Sequence, residues 1–346
     1  MDYSISISVV MPVYNTPTGY VKEAVDSILG QTFGDFEFII IDDGSTNGNA
    51  EYLDGIKDSR VRIIRNPKNI GITKSLNIGL EASRGKYIAR MDADDISLPW
   101  RFEKQFLFME AHPDVIMCGS RVSSMGVPAP KYTPGLSFSC NMRRYRVTSL
   151  FRYPGPNHPT VFFNRELLLK NDLKYDERLI YSQDYGLYCL IAEMGKICIL
   201  NDTLLVNRVH KDRITSAHRS EQIECDKVIK RKLLEKLLGN ISDEELDFHF
   251  RCSAEYDREI MSPGVISWYR KIRKANQRLG IYDRRKLRNE MAFIESNLIY
   301  NLITGDHPFR KKIGVVRYIF TPAFYNLVAA WLKAKTDKNK RIIRKK

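Results

Sequence analysis

No run of roughly 18 apolar residues occurs in the chain, so a transmembrane helix is not expected. Its six cysteines (Cys118, Cys140, Cys189, Cys198, Cys225 and Cys252) form no C-x-x-C pair and no zinc-like spacing. A zinc site is therefore not expected, and the thiols read as reduced and mostly buried, as in a cytosolic protein. No basic segment precedes an apolar stretch at the N-terminus; the chain goes straight into the strand-like Ile5–Val10, so a secretion signal is not expected. Internal repeats and low-complexity segments are also missing. These absences leave a globular chain without a membrane span.

What is present supports that reading. At 346 residues with 43% hydrophobic and 28% charged residues, the chain can bury a full core. The net charge of +14 is unevenly spread: residues 1–220 hold 27 Lys and Arg against 25 Asp and Glu, and residues 221–346 hold 28 against 16. The basic last third implies an anionic partner, such as a membrane surface, nucleic acid or a charged glycan.

Residues 5–122 alternate strand and helix signals. Strands are expected at Ile5–Met11, Phe36–Ile41, Val61–Ile64, Tyr87–Met91 and Val115–Gly119. Helical spacing falls at Pro17–Leu29, Asn49–Ile56, Ile72–Ala82 and Pro99–His112, the last with proline in its first turn. Phe36–Ile41 is continuously apolar, as in a strand buried on both faces. The order implies an α/β fold with a mostly parallel sheet flanked by helices. Prolines and glycines interrupt the pattern over residues 123–155. Strands at Thr160–Phe163, Lys196–Leu200 and Leu204–Val209 follow, with a helix near Tyr185–Met194. From about Ala217 the chain reads as helical and basic, so two regions are expected, 1–215 and 216–346.

In open α/β sheets, ligands bind beyond the carboxyl ends of the strands. Three polar clusters stand there. Pro12-Val13-Tyr14-Asn15 offers a ring and an amide suited to a nucleobase and ribose. Asp42-Asp43-Gly44-Ser45 offers carboxylates that accept from a base N–H, though such a segment alone is more often a turn that caps the next helix. Asp92-Ala93-Asp94-Asp95 offers a metal site: if the strand continues to Asp94, Asp92 and Asp94 share a side, and a divalent cation relieves their repulsion. Hard oxygen ligands suit Mg²⁺ or Mn²⁺. The three clusters together describe a nucleoside diphosphate laid across the sheet edge.

The segments Ser8–Asn15, Ser27–Phe33, Ile41–Thr46, Asn69-Ile70-Gly71 and Arg90–Asp95 resemble those of the family 2 glycosyltransferases. The resemblance covers roughly residues 5–215. It implies a GT-A (Rossmann-like) fold, a nucleotide-sugar donor (a UDP-sugar first), Mg²⁺ or Mn²⁺, and inversion at the anomeric carbon. By the resemblance Pro12, Val13, Tyr14, Asn15, Asp42 and Asp43 contact the nucleoside, and Asn69, Lys74 and Ala93 belong to the donor site. Asp94 holds the metal, with Asp92 doing so directly or through water or ribose. Asp184 of Ser182-Gln183-Asp184-Tyr185 is the expected base that takes the acceptor proton, although alone it also reads as a helix N-cap. The family usually has Glu-Asp there, and Gln183 replaces the Glu. His210 follows a strand where similar enzymes bring a histidine toward the metal or diphosphate. Arg213 is a candidate for the diphosphate, and His158 for the acceptor side.

At the C-terminus, Thr321-Pro322 opens a helical pattern whose stripe is Phe324, Leu327, Val328, Trp331 and Leu332. Lys333–Lys346 then carries eight Lys and Arg against one Asp. A basic amphipathic helix suits an anionic bilayer, and no nucleic-acid motif accompanies it. The expectation is a cytoplasmic glycosyltransferase, peripheral on the inner face of the inner membrane, acting on a glycan or lipid-linked acceptor in surface polysaccharide synthesis. A nucleotidyltransferase also puts metal and nucleotide over an α/β sheet, but it expects a Gly-rich basic loop that Pro12–Gly19 lacks. A nucleotide-sugar or glycan binding module without catalysis is the third reading, and the intact Asp92, Asp94 and Asp184 weigh against it.

Overall fold

The structure is a computed structural model that describes residues 3–128, 131–132, 134–209, 218–253 and 263–304. His210, Arg213 and the basic C-terminal stripe lie outside the described residues. The chain divides into two compact units. The first comprises Met1–Tyr145 with Pro154–Asp226, and the second Arg146–Tyr153 with Lys227–Lys346.

In the first unit the elements run β1 (Ile7–Val13), α1 (Thr18–Leu29), β2 (Phe36–Asp42), α2 (Asn49–Asp54), β3 (Val61–Arg65), α3 (Ile72–Ala82) and β4 (Tyr87–Arg90). There follow β5 (Ile96–Ser97), α4 (Arg101–Ala111), β6 (Val115–Ser124), β7 (Phe138–Cys140) and α5 (Met142–Thr148), which reaches the unit boundary. A short 3-10 turn (His158–Thr160), β8 (Phe162–Asn164), α6 (Arg165–Lys170), α7 (Gln183–Met194) and β9 (Lys196–Asn207) complete the mixed sheet. Among the described residues, the second unit is helical: α8 (Arg219–Leu238, which begins in the first unit), α9 (Asp243–Cys252), α10 (Pro263–Leu279) and α11 (Arg284–Thr304).

The sheet order is β3-β2-β1-β4-β8-β6-β9-β5, with β7 added on β9. The first four strands are parallel, as their apolar runs require; every residue of β2 is buried. Helix α3 lies close on this half because it carries Gly79, where a Cβ would stand 2.3 Å from Val10 Cγ1. Beyond β4 the sheet becomes mixed: β8 pairs antiparallel with both β4 and β6, while β6 and β9 are parallel. The expected mostly parallel sheet thus holds for the N-terminal half only.

Several expected boundaries shift for identifiable reasons. Helix α4 begins at Arg101, so Pro99 lies outside it; the Pro99 carbonyl accepts from Thr32 N–H at 2.8 Å instead. The two strands expected at 196–200 and 204–209 are one, β9, and register shifts at Ser120–Val122 of β6 absorb the irregularity. Thr160 belongs to the 3-10 turn, and the strand after it starts at Phe162. The expectation that all six cysteines are reduced is also corrected. Cys140 of β7 and Cys198 of β9 are register partners with Cα atoms 4.3 Å apart, and they form a disulfide. Antiparallel pairing brings such positions together whatever their distance along the chain. Cys118, Cys189, Cys225 and Cys252 take part in no disulfide.

Candidate active site at the strand ends

Strand β4 ends at Arg90, and the chain then turns sharply, with Asp95 N–H directed at the Asp92 carbonyl at 3.5 Å. The strand alternation expected to align Asp92 with Asp94 is therefore not what gathers them. A tight turn does so, and it adds a third carboxylate: ligand atoms of Asp92, Asp94 and Asp95 all lie within 4.8 Å of one another. Asp95 is buried, and its Oδ2 has no hydrogen-bond partner among the described residues. Burial, reinforced by the charges of Asp92 and Asp94, pushes the Asp95 carboxyl up to about 8. A buried, unpartnered carboxylate oxygen beside two further carboxylates is an environment that a hard divalent cation relieves, so the donor set fits Mg²⁺ or Mn²⁺.

Two arginines hold this turn. Arg90 is buried and paired with Asp92 Oδ1. Arg208, one residue past β9, donates its backbone N–H to Asp95 Oδ1 at 2.9 Å and its Nε–H to the Asp94 carbonyl at 3.0 Å. Its guanidinium stands 4.0 Å over the Tyr20 ring and pairs with Glu23, so the turn is tied to α1. Sequence reasoning singled out neither Asp95 as a ligand nor Arg208. The only trace in the chain is that Arg208 sits two positions before His210, at the end of a strand.

The nucleoside candidates line the ends of β1 and β2. Val13 is buried, Pro12 is half-buried, and Tyr14 and Asn15 are exposed. Asn15 takes the left-handed conformation (φ 49°) and locks to the neighbouring loop, accepting from Thr46 N–H at 2.8 Å. Asp42 accepts from Ser45 N–H at 3.0 Å. Asp43 accepts from the Asn66 amide (2.7 Å), Ile70 N–H (3.0 Å) and Gly71 N–H (3.0 Å), so its carboxylate shapes the 66–71 loop. Gly44 has φ +74°, and a Cβ there would meet the Lys68 carbonyl carbon at 2.7 Å; no other residue allows this approach. Asn69 is exposed, with Oδ1 accepting from Gly71 N–H, and Lys74 is exposed on the first turn of α3.

Asp184 sits in the first turn of α7, half-buried, with Oδ1 accepting from Tyr185 N–H at 2.8 Å. The capping contact expected of an N-cap is missing, since the cap position is Ser182, whose hydroxyl donates to Asp226 at 2.7 Å. Beside it, Gln183 is buried with Oε1 unpartnered among the described residues. Tyr175 links this side to the acidic turn: burial raises its hydroxyl pKa, Arg90 opposes that, and the charges of Asp184 and Asp92 both act on it. Asn77 of α3 fixes the Tyr175 backbone in both directions, at 3.0 Å each. His158, expected toward the acceptor, is buried with Nε2 2.7 Å from the Tyr175 hydroxyl. Burial and then the Arg90 charge hold its pKa well below the usual histidine range, so it is neutral.

The architecture and this strand-end site define a GT-A glycosyltransferase. The glycosyl transferase family 2 model matches residues 8–170, from β1 to α6. An uncharacterised glycosyltransferase of Methanocaldococcus jannaschii is 37% identical over 225 residues, covering 63% of this chain and 76% of that protein. An uncharacterised glycosyltransferase of Haemophilus influenzae is 30% identical over 243 residues (68% and 75%). The amylovoran biosynthesis glycosyltransferase AmsE of Erwinia amylovora is 29% identical over 240 residues (68% and 88%). Among solved structures, S. aureus TarS 1–349 superposes with a TM-score of 0.55 at 16% identity, covering 86% of this chain and 89% of that one. The chain belongs to the family 2 glycosyltransferases.

Proposed function

We propose that this enzyme transfers a sugar, with inversion, from a nucleoside-diphosphate sugar to a hydroxyl of a glycan or lipid-linked acceptor, using Mg²⁺ or Mn²⁺. The observation that carries the reading is the turn at Asp92, Asp94 and Asp95, with its buried, unpartnered Asp95 oxygen at the end of a parallel strand. A divalent cation bound there supplies positive charge to a departing diphosphate. Tyr14, Asn15 and the Asp43-organised loop offer the surface for the base and ribose, and a UDP-sugar is the first donor to try. S. aureus TarS has been crystallised with UDP and with UDP-GlcNAc, which supports that choice by analogy of fold. Asp184 removes the proton of the attacking hydroxyl as the new glycosidic bond forms. The bond from the anomeric carbon to the diphosphate breaks, and its electron pair leaves with the diphosphate oxygen. Arg90 and Arg208 keep the carboxylates in place.

AmsE, named for amylovoran biosynthesis, favours a role in polysaccharide synthesis; the basic last third of the chain, with 28 Lys and Arg against 16 Asp and Glu, is the reason to seek that role at the cytoplasmic face of the inner membrane. No described helix is long and apolar enough to cross a membrane. The test is release of nucleoside diphosphate from a panel of nucleotide sugars with Mn²⁺, Mg²⁺ or a chelator, followed by NMR of the product anomer. Cation-dependent release with an inverted product is expected. Pyrophosphate release from a nucleoside triphosphate and a sugar phosphate would make the protein a nucleotidyltransferase instead. Tight binding with no turnover on any acceptor would make it a binding module.

A further inference from the structure

Residues 263–289 carry nine Lys and Arg against one acid, Asp283. Helix α10 sorts them by face. Val265, Trp268, Tyr269, Ile272 and Ala275 are buried, while Arg270, Lys271, Arg273, Lys274 and Arg278 are exposed. Lys271 is engaged by Glu245, and Arg273 acts on the half-buried Glu295. Arg270, Lys274 and Arg278 recur every fourth residue along one exposed row. The turn that follows is rigidly held: buried Asn276 donates to the Tyr282 carbonyl at 2.9 Å and accepts from Tyr282 N–H at 2.8 Å. Past this turn, α11 opens with exposed Arg284, Arg285 and Arg288. At the end of α10 between these two cationic rows, Leu279 is 57% exposed.

We propose that the α10–α11 turn is a docking surface for an anionic lipid bilayer, with Leu279 entering the headgroup boundary and the flanking cations pairing with lipid phosphates. Cations attract an anionic leaflet, and an exposed aliphatic side chain among them adds apolar burial that no soluble polyanion offers. Nucleic acid fits less well, because Trp268, Tyr269 and Tyr282 are buried and so not available for stacking, and the exposed Phe293 of α11 already carries the Arg152 guanidinium over its ring. The inference deepens the membrane part of the proposed function. It places contact on described residues of the second unit and does not depend on the donor chemistry.

The test is co-sedimentation of the full chain with vesicles of phosphatidylglycerol and phosphatidylcholine, against phosphatidylcholine alone. Wild type is expected on the anionic vesicles only. The triple variant Arg270→Gln, Lys274→Gln, Arg278→Gln should partition roughly a hundredfold more weakly, at about one ion-pair contribution per cation. Leu279→Ser should weaken it several-fold. Both variants should keep the wild-type melting temperature and turnover on soluble substrates. Wild-type partitioning by the triple variant would overturn the surface and move membrane contact elsewhere, such as residues 333–346. Equal binding to neutral vesicles, or displacement from anionic vesicles by a single-stranded oligonucleotide, would also overturn it. Vesicle binding without nucleotide-sugar turnover would sink the proposed glycosyl transfer and leave the docking surface standing.

Discussion

Asp42-Asp43 and Asp92-Ala93-Asp94-Asp95 each follow a parallel strand of the same sheet, and along the chain they look alike. Their surroundings differ sharply. Asp43 spends both carboxylate oxygens on Asn66, Ile70 and Gly71, and so builds a loop. Among the described residues, Asp95 keeps one buried oxygen unpartnered and has two carboxylates as neighbours. The first carboxylate is already satisfied by hydrogen-bond donors from the protein; the second is the one proposed to meet a cation. Acidic residues at strand ends are therefore not equivalent, and the number of donors already aimed at each oxygen separates scaffold from site.

The largest test of this contrast lies outside both clusters. Asp184→Asn should lower transfer by roughly 10²–10⁴-fold without weakening nucleotide binding, measured as kcat against calorimetric affinity. Wild-type turnover in that variant removes Asp184 as the base. Next, Asp94→Asn should cost transfer about a thousandfold, and Mn²⁺ titration calorimetry should lose its signal. Undiminished Mn²⁺ binding would erase the distinction between the two acidic clusters. Asp43→Ala should behave differently, losing about 1–2 kcal/mol of stability because the half-buried Asn66 amide and Ile70 N–H lose their acceptor, with a matching fall in melting temperature. If Asp43→Ala melts like wild type, the carboxylate is not the loop's organiser.

The last expectation concerns pH dependence. Asp95 has a folded pKa raised to about 8, so the folded chain binds its proton more tightly than the unfolded chain does. The stability from this group is full below about pH 4 and is lost as pH rises toward about 8. Without divalent cation, the melting temperature should therefore fall across that window, and Asp95→Asn should flatten the slope. A slope that is identical in the variant would assign the titration to another group.

Much of the first half was legible from the chain. Helix Ile72–Ala82 appears with the bounds its spacing predicts, and Phe36–Ile41 is the buried strand its composition demands, because both signals are local. The strand pairings beyond β4 were not legible. β8 is three residues long and enters the sheet between β4 and β6, a choice set by distant partners. The Cys140–Cys198 disulfide was hidden for the same reason, across a separation of 58 residues. At the site, Asp92 and Asp94 were identifiable by type and spacing. Asp95 was not, since its role follows from a turn after Arg90 that strand alternation did not anticipate. His158 stood out as a polar residue before a strand, and only packing revealed it as a buried, neutral partner of Tyr175.

The sequence by itself determined the α/β order of the first unit, the membership of a glycosyltransferase family, and the carboxylates worth testing, because apolar periodicity and strand-end chemistry act over a few residues. Only the tertiary structure decided which carboxylate stays unpartnered, which arginines hold the acidic turn, and which cations of α10 face outward. Those depend on burial and on hydrogen-bond donors arriving from residues such as Arg208, more than a hundred positions away from the carboxylates they hold.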